Sequence, residues 1–561
     1  MPLPSAICHN PAVPPEEPVL DGPGGPAARA SARPRPWVRT TLFGLAFLAV
    51  AAGIGYGHAR VIAQPEELLL NVVPDDAFYY LQIARHFAAG DGSTFDGTNR
   101  ASGYHPGWMA LLVPVAAAWP APATLLRAAL GLEFLLHVAT AFALIGLLRR
   151  YTTPGLALVG GLCWLANPLA ILLCLQGVES ALYALALVLM LRAAERFVND
   201  PGLSPALHLK LGAALALCFY ARTEAGVLAV LTFAAAPLLK GLSWRPALRS
   251  AVKLAAAFTL MVLPWFLFCW VATGSPWQSS GAIKLLWGDR FLSDLDLGSR
   301  LGHAFSFVGV KWLSSPWVPT VASPLKISTF TWAAKIPALL GLLVIGRKSA
   351  NRPVLFWSVW LLASMVATGM VYGLFHWEIQ LWYFTQPAIL LFVLTYVWIA
   401  RLGVEPTRLR RILSVALPAL LLGMSLYEAR SLYQNPPKLY PWQFQFLISQ
   451  GQFEDLIPKD EPIGCFNAGI PAFYSRRQVI NLDGLVNSTV LPYYREHRFD
   501  QYLAEHGIRY IADVKPALDR TAKFMQQPLR LHPIAAMPLE GWYAPYRYLW
   551  EVEAGVEGGG K

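Results

Sequence analysis

Apolar runs of membrane-crossing length recur along most of this chain, and no other feature constrains its fold as strongly. Ala255–Val271, Val354–Tyr372 and Trp382–Ala400 approach or exceed the ~17–25 residues a spanning helix needs. No water reaches that depth, so such segments must be helical to satisfy their own backbone groups. Composition agrees. Only 14% of the 561 residues are charged, against about 25% in soluble chains, and the mean hydropathy is +0.43.

Charge placement then orients the spans. The net charge of +11 sits in short basic clusters between apolar runs, as orientation signals do, rather than in a nucleic-acid-binding stripe. Residues 1–36, rich in Pro, Ala and Gly with Arg29, Arg33 and Arg35 near their end, are expected to form a disordered cytoplasmic tail. The first apolar run, Thr41–Tyr56, reads as an uncleaved anchor that delivers the following loop to the opposite side. Tyr104–Trp119 is short for a span and is bounded by prolines; it is read as interfacial or re-entrant. The second span is then 125–148, and further spans follow near 154–173, 180–198, 206–221, 224–239, 253–272, 333–346, 354–373, 381–400 and 411–428. That makes about 11 crossings, and it puts Lys240/Arg245/Arg249, Arg347/Lys348/Arg352 and Arg401/Arg408/Arg410/Arg411 on the cytoplasmic side.

The expectation is a polytopic α-helical membrane protein of the cell (inner) membrane. Residues 37–430 form the multi-span domain, with an outer loop at 58–124. Residues 431–561 form a small soluble α/β domain outside the cytoplasm, because charge becomes frequent there and the apolar runs shorten to strand length, as in Pro462–Phe466 and Gln478–Leu482. Four of the six cysteines, Cys163, Cys174, Cys218 and Cys269, fall in apolar runs and no CxxC occurs, so neither a disulfide framework nor a zinc signature is present.

Polar residues that could carry chemistry collect on the outer side. Pro74-Asp75-Asp76 opens a helical run in the first outer loop. Helix capping and dipole complementation explain one carboxylate, whereas two adjacent ones also suit acid–base work or a divalent cation. Arg85 follows on the same run, and Tyr104-His105-Pro106 begins the interfacial segment, where His105 is either a turn residue or a contact for phosphate or hydroxyl. Glu179, Arg222, Glu224, Lys284 and His376 sit at the outer ends of spans. Each could be a snorkelling anchor, but Arg222 and Glu224 lie between short apolar stretches, where charge is costly without a partner or a task. Glu133 and His137, one turn apart inside a span, are either a functional pair or satisfy one another between helices. The Asn487-Ser488-Thr489 sequon carries no functional weight.

This arrangement resembles the GT-C superfamily of integral membrane glycosyltransferases, which use polyprenyl-phosphate sugars. The likeness rests on the topology and on Asp75-Asp76, which is similar to the family's acidic motif in the first outer loop. The Gly103-Tyr104-His105-Pro106 turn agrees, as do the segments Gly464–Gly469 and Asn481–Asn487 of the C-terminal region. The resemblance implies transfer of a hexose or pentose, with inversion, from a polyprenyl-phosphate donor to an envelope glycan, lipid or protein acceptor. Asp75 would be the base, with Asp76 as the alternative or as a cation ligand beside it. Arg222 and Lys284 would stabilise the leaving phosphate, supported by Arg85 and His105. No cofactor other than a divalent cation is implied. A transporter or flippase of lipid-linked glycans is the competing expectation; it would favour inverted repeats and charge at mid-membrane.

Overall fold

The structure is a computed structural model that describes residues 36–200, 202, 204–293, 295–308, 352–375, 380–402, 407–541 and 544–553. The tail expected at 1–36 (apart from Pro36), the span expected at 333–346 and the candidate residue His376 lie outside them. The chain divides into two compact units, Met1–Leu45 and Ala46–Lys561.

Proline and small polar residues start the helices. α1 (Pro36–Ile62) leads into the segment expected as a loop at 58–124, where α2 (Asp75–Ala89) is followed by α3 (Pro106–Ala118), and then α4 (Pro122–Leu148). α5 (Pro154–Leu165) and α6 (Pro168–Cys174) form one run bent by 51°. The bend follows from Asn167-Pro168: proline cannot continue the helix, and the Asn167 side chain accepts from the Leu169 and Ala170 amides at 2.9 and 3.2 Å to start the next one. The carbonyl of Leu165 beside this break lies 3.0 Å from His137 Nε2, while Glu133 accepts the Ala181 amide at 3.0 Å. These two residues of α4 therefore serve backbone groups of other helices rather than one another.

α7 (Ser180–Asn199), α8 (Pro205–Ala221), α9 (Ala225–Leu239) and α10 (Trp244–Thr273) follow, then the shorter α11 (Ser279–Leu292) and α12 (Leu297–Ser306). α13 (Arg352–Leu374), α14 (Thr385–Leu402) and α15 (Arg408–Gln434) complete the helical part. Five helical segments among the described residues are long and apolar enough to cross a membrane: Thr41–Ile62, α4, α10, Leu381–Ile399 and α15, or six if α5 and α6 form one broken span. The segments expected as spans at 206–221 and 224–239 are helical but shorter, and the segment read as interfacial is the 13-residue α3.

The C-terminal region begins with α16 (Gln443–Glu454) and builds a five-stranded mixed sheet in the order β2-β1-β3-β5-β4, from β1 (Ile463–Cys465), β2 (Val479–Asn481), β3 (Tyr510–Val514), β4 (Leu531–Pro538) and β5 (Tyr546–Val552). β1 pairs parallel with β2 and β3, and β5 runs antiparallel between β3 and β4. α17 (Gly469–Tyr474) crosses from β1 to β2. Fully buried Arg547 of β5 ties α16 to the sheet: it donates to the Phe446 carbonyl at 3.0 Å, Ser449 Oγ at 2.8 Å and the Ala512 carbonyl at 3.2 Å. Ile283 of α11 enters the apolar core of this region beside Leu482, Val490 and Leu491. The sheet is therefore packed on the helical part rather than tethered to it.

Candidate active site

α2 carries the site from its first residue. Asp75 opens the helix, and its carboxylate turns toward the C-terminal region. Oδ2 accepts the Gly469 amide at 3.0 Å and Oδ1 the Ile470 amide at 2.7 Å, both from the first turn of α17. Gly469 is required by this approach, since a Cβ there would stand 2.2 Å from the Asp75 carbonyl oxygen. The loop that presents these amides is itself braced. Asp513 of β3 accepts the Phe466 and Asn467 amides at 2.7 Å each and the Asn467 side chain at 2.7 Å.

The next turn of α2 divides between two partners, because adjacent residues on a helix point about 100° apart. Tyr79 donates to the Phe466 carbonyl at 3.2 Å and accepts the Ala468 amide at 3.3 Å. Tyr80 donates to Glu179 at 2.8 Å, in the other direction. Arg85 donates to the Phe473 carbonyl at 3.1 Å and lies over the Phe473 ring, so it fastens α2 to α17.

Three carboxyl groups share the Asp75 end. Burial pushes Asp75 up to about 7; the Ile470 amide opposes that rise and the charge of Asp76 adds to it. Burial likewise pushes Asp483 up to about 8, with the Leu485 amide opposing and Asp76 and Asp75 adding. Asp483 comes from the turn after β2, where its Oδ1 accepts the Leu485 amide at 2.8 Å. That turn is pressed against the Ser102-Gly103 backbone: a Cβ on Gly103 would lie 1.6 Å from the Leu485 carbonyl oxygen, which also accepts from Ser279 Oγ of α11 at 2.9 Å. Asp483 lies within the Asn481–Asn487 likeness, but nothing next to it in the chain marks it as a site residue. Only a fold that brings residue 483 to residue 76 reveals the third carboxylate.

A second polar cluster lies at the Tyr80 end. Arg222, 1% exposed, bonds through its guanidinium to both Glu179 and Glu224, and the same guanidinium sits 4.3 Å from the Tyr383 ring centroid. Lys284 of α11 donates to the Tyr383 hydroxyl at 2.7 Å. His105 accepts the Thr223 amide at 3.3 Å through Nδ1, and its Nε2 is 3.8 Å from Glu179. Burial holds His105 below its ordinary value, although Glu179 pulls the other way. Seven of the expected site residues are thus gathered into two adjoining groups: Asp75 with Asp76, and His105, Glu179, Arg222 and Glu224 with Lys284, which joins them through Tyr383. Tyr104 instead meets Ser93 Oγ of its own loop at 2.7 Å and packs on Trp265 of α10.

Among the described residues no three of His, Cys, Asp and Glu are grouped to hold a metal ion. Each oxygen of Asp75 accepts one amide hydrogen and keeps a further lone pair.

Solved structures with this architecture exist. Crystal structures of ArnT from Cupriavidus metallidurans, a GT-C superfamily protein, superpose with TM-scores of 0.52 in the apo state and 0.53 bound to undecaprenyl phosphate. Identity is 16% and 15%, over 92% and 91% of this chain and 99% and 98% of theirs. The chain has the GT-C fold. Within the GT-C fold, residues 441–552 match a family described as a domain of unknown function, DUF8728. The archaeal oligosaccharyltransferase AglB from Archaeoglobus fulgidus, in complex with an inhibitory peptide and a dolichol-phosphate, is less similar, with a TM-score of 0.48 and 13% identity over 87% of this chain and 72% of its own. No curated protein matches in sequence.

Proposed function

We propose that this protein is a glycosyltransferase that moves a sugar from a polyprenyl-phosphate donor to an envelope acceptor, with inversion, on the extracytoplasmic face of the cell membrane. About eleven crossings and an outward C-terminal domain belong to this reading. The observation that carries it is the Asp75 carboxylate, oriented by two α17 amides inside a GT-C fold and raised to about 7. A base poised near the working pH is best matched to take a proton from an acceptor hydroxyl.

The division of labour follows from charge. Asp75 takes the acceptor proton as the hydroxyl oxygen attacks the anomeric carbon, and the bond from that carbon to the phosphate oxygen breaks. The departing phosphate needs a fixed cation. Arg222 is balanced by two carboxylates, so its part is to hold Glu179, Glu224 and the Tyr383 ring in place. Lys284, on the Tyr383 hydroxyl, is the cation assigned to the phosphate. His105 and Glu179 line the donor side. Asp76 and Asp513 keep the local field negative and hold Asp75 basic.

Purified protein incubated with radiolabelled polyprenyl-phosphate sugars tests the reading. An enzyme consumes donor and releases free polyprenyl phosphate. Donor that only changes leaflet in proteoliposomes, without consumption, would replace the transferase by a transporter.

A further inference from the structure

α1 and α15 leave a groove between the ends that run into the carboxylate site, with about 310 Å³ of room. Its floor is apolar, from Val50, Ile54 and Leu426, and its rim carries Arg60 and Arg430. No carboxylate lines it, and neither arginine has an ion pair or hydrogen bond among the described residues. Glycine shapes the groove. At Gly57 a Cβ would stand 2.4 Å from the Tyr433 ring, so that ring closes one end against the helix. At Gly53 a Cβ would meet nothing within 4 Å, so the space above it is open.

Two unpaired arginines over an apolar channel match an anion with a hydrocarbon tail. On the proposed orientation both lie at the outer ends of their helices, against the usual cytoplasmic bias of basic residues. A phosphate headgroup supplies the missing counter-charge. The source is indicated by how little protein covers these helices: the apolar windows of Thr41–Ile62 and Arg408–Gln434 are 11% and 22% buried, against 78% for Leu381–Ile399. Such helices border the bilayer, and a groove between them opens to bulk lipid. We infer that this groove holds an anionic phospholipid of the surrounding bilayer, its phosphate between Arg60 and Arg430 and an acyl chain along Val50, Ile54 and Leu426. The bound lipid bridges α1, which leads to Asp75, and α15, which leads to the Leu439 and Tyr440 amides that bond Asn71 at 2.8 and 2.9 Å.

Native mass spectrometry of the full chain in mild detergent, with added phosphatidylglycerol or phosphatidylcholine, tests this. The wild type is expected to retain one phosphatidylglycerol in preference to phosphatidylcholine. Arg60→Gln and Arg430→Gln should each weaken retention about fivefold. Gly53→Leu should abolish retention by filling the channel, with the melting temperature in lipid-free detergent not lowered, because a Cβ there meets nothing within 4 Å and leucine favours the helix over glycine. Equal retention of the two phospholipids, or undiminished retention in Gly53→Leu, overturns the inference. So does displacement of phosphatidylglycerol by equimolar undecaprenyl phosphate, which would give the groove to a polyprenyl lipid instead.

Discussion

The two ends of α2 face two clusters of charge with opposite character. At the Asp75 end three carboxyl groups adjoin, and burial drives two of them up to about 7 and 8. At the Tyr80 end cations stand among the carboxylates: Glu179 and Glu224 enclose Arg222, the Tyr383 ring covers the guanidinium, and Lys284 reaches the Tyr383 hydroxyl. A buried pair that is satisfied is structural, and breaking it is costly. A buried group held near its neutral point is poised to exchange a proton. Burial alone therefore teaches less about reactivity than whether the charges cancel.

The largest effect that would break this comparison is expected at Asp75. Asp75→Asn should lower turnover by about 10²–10⁴-fold, read as donor consumption. Asn keeps one oxygen for an α17 amide but turns a donor toward the other, so limited proteolysis should accompany the assay to confirm that the C-terminal region stays docked. Retained activity in a docked variant would move the base to Asp76 and leave Asp75 as a fastening.

Lys284 and Arg222 are expected to separate next. Lys284→Ala should slow transfer by about 10²-fold, because the leaving phosphate loses its cation, with little change in melting temperature. Arg222→Ala should cost about 3–5 kcal/mol of stability, since it strands two carboxylates beside Tyr80 and His105. Yield and melting temperature should fall before any specific loss of donor affinity. The reverse pattern would make Arg222 the phosphate ligand and Lys284 an anchor.

Gly103→Ala probes the seam between the two regions. Its Cβ would strike the Leu485 carbonyl oxygen, so the Asp483 turn must retreat. Overpacking of this kind costs about 1–3 kcal/mol. Earlier tryptic release of the C-terminal fragment is expected, together with a loss of activity; an undisturbed digest with full activity would show that the seam yields without consequence.

The smallest expected effect is a shift in pH dependence. Asp75 must be ionised to act, so turnover should rise with pH through about 7 and then level off. Asp76→Asn removes a charge that raises Asp75, so the acid limb should move to lower pH. Stability should run the other way. A carboxyl raised in the folded state favours folding most below its unfolded value of about 3.9, and that contribution is lost as pH rises through about 7 for Asp75 and about 8 for Asp483. Melting temperature between pH 5 and 8 should therefore fall less steeply in Asp483→Asn, whose oxygen can still accept the Leu485 amide.

Most helices were legible in the sequence because their signals are local. Apolar runs set the long helices, and prolines at 106, 122, 154, 168 and 205 mark first turns. Asp75-Asp76 was legible as a candidate for the same reason: two adjacent carboxylates exceed what a helix start needs. The identity of the partners was not local. Arg85 was expected near phosphate but binds the Phe473 carbonyl, and Tyr104 turned to Ser93 and Trp265. Glu133 and His137, one turn apart, bond to Ala181 and Leu165 instead of each other. The sequence by itself determined a chain that must lie in a membrane as helices, and where its acidic loop begins, because burial of apolar length and helix starts depend on neighbours along the chain. Which carboxylates face a cation and which face other carboxylates was decided only by tertiary structure. Pairing Arg222 with Glu179, and bringing Asp483 beside Asp76 and Asp75, joins residues far apart in sequence, and Coulomb interactions and burial depend on distance in space alone.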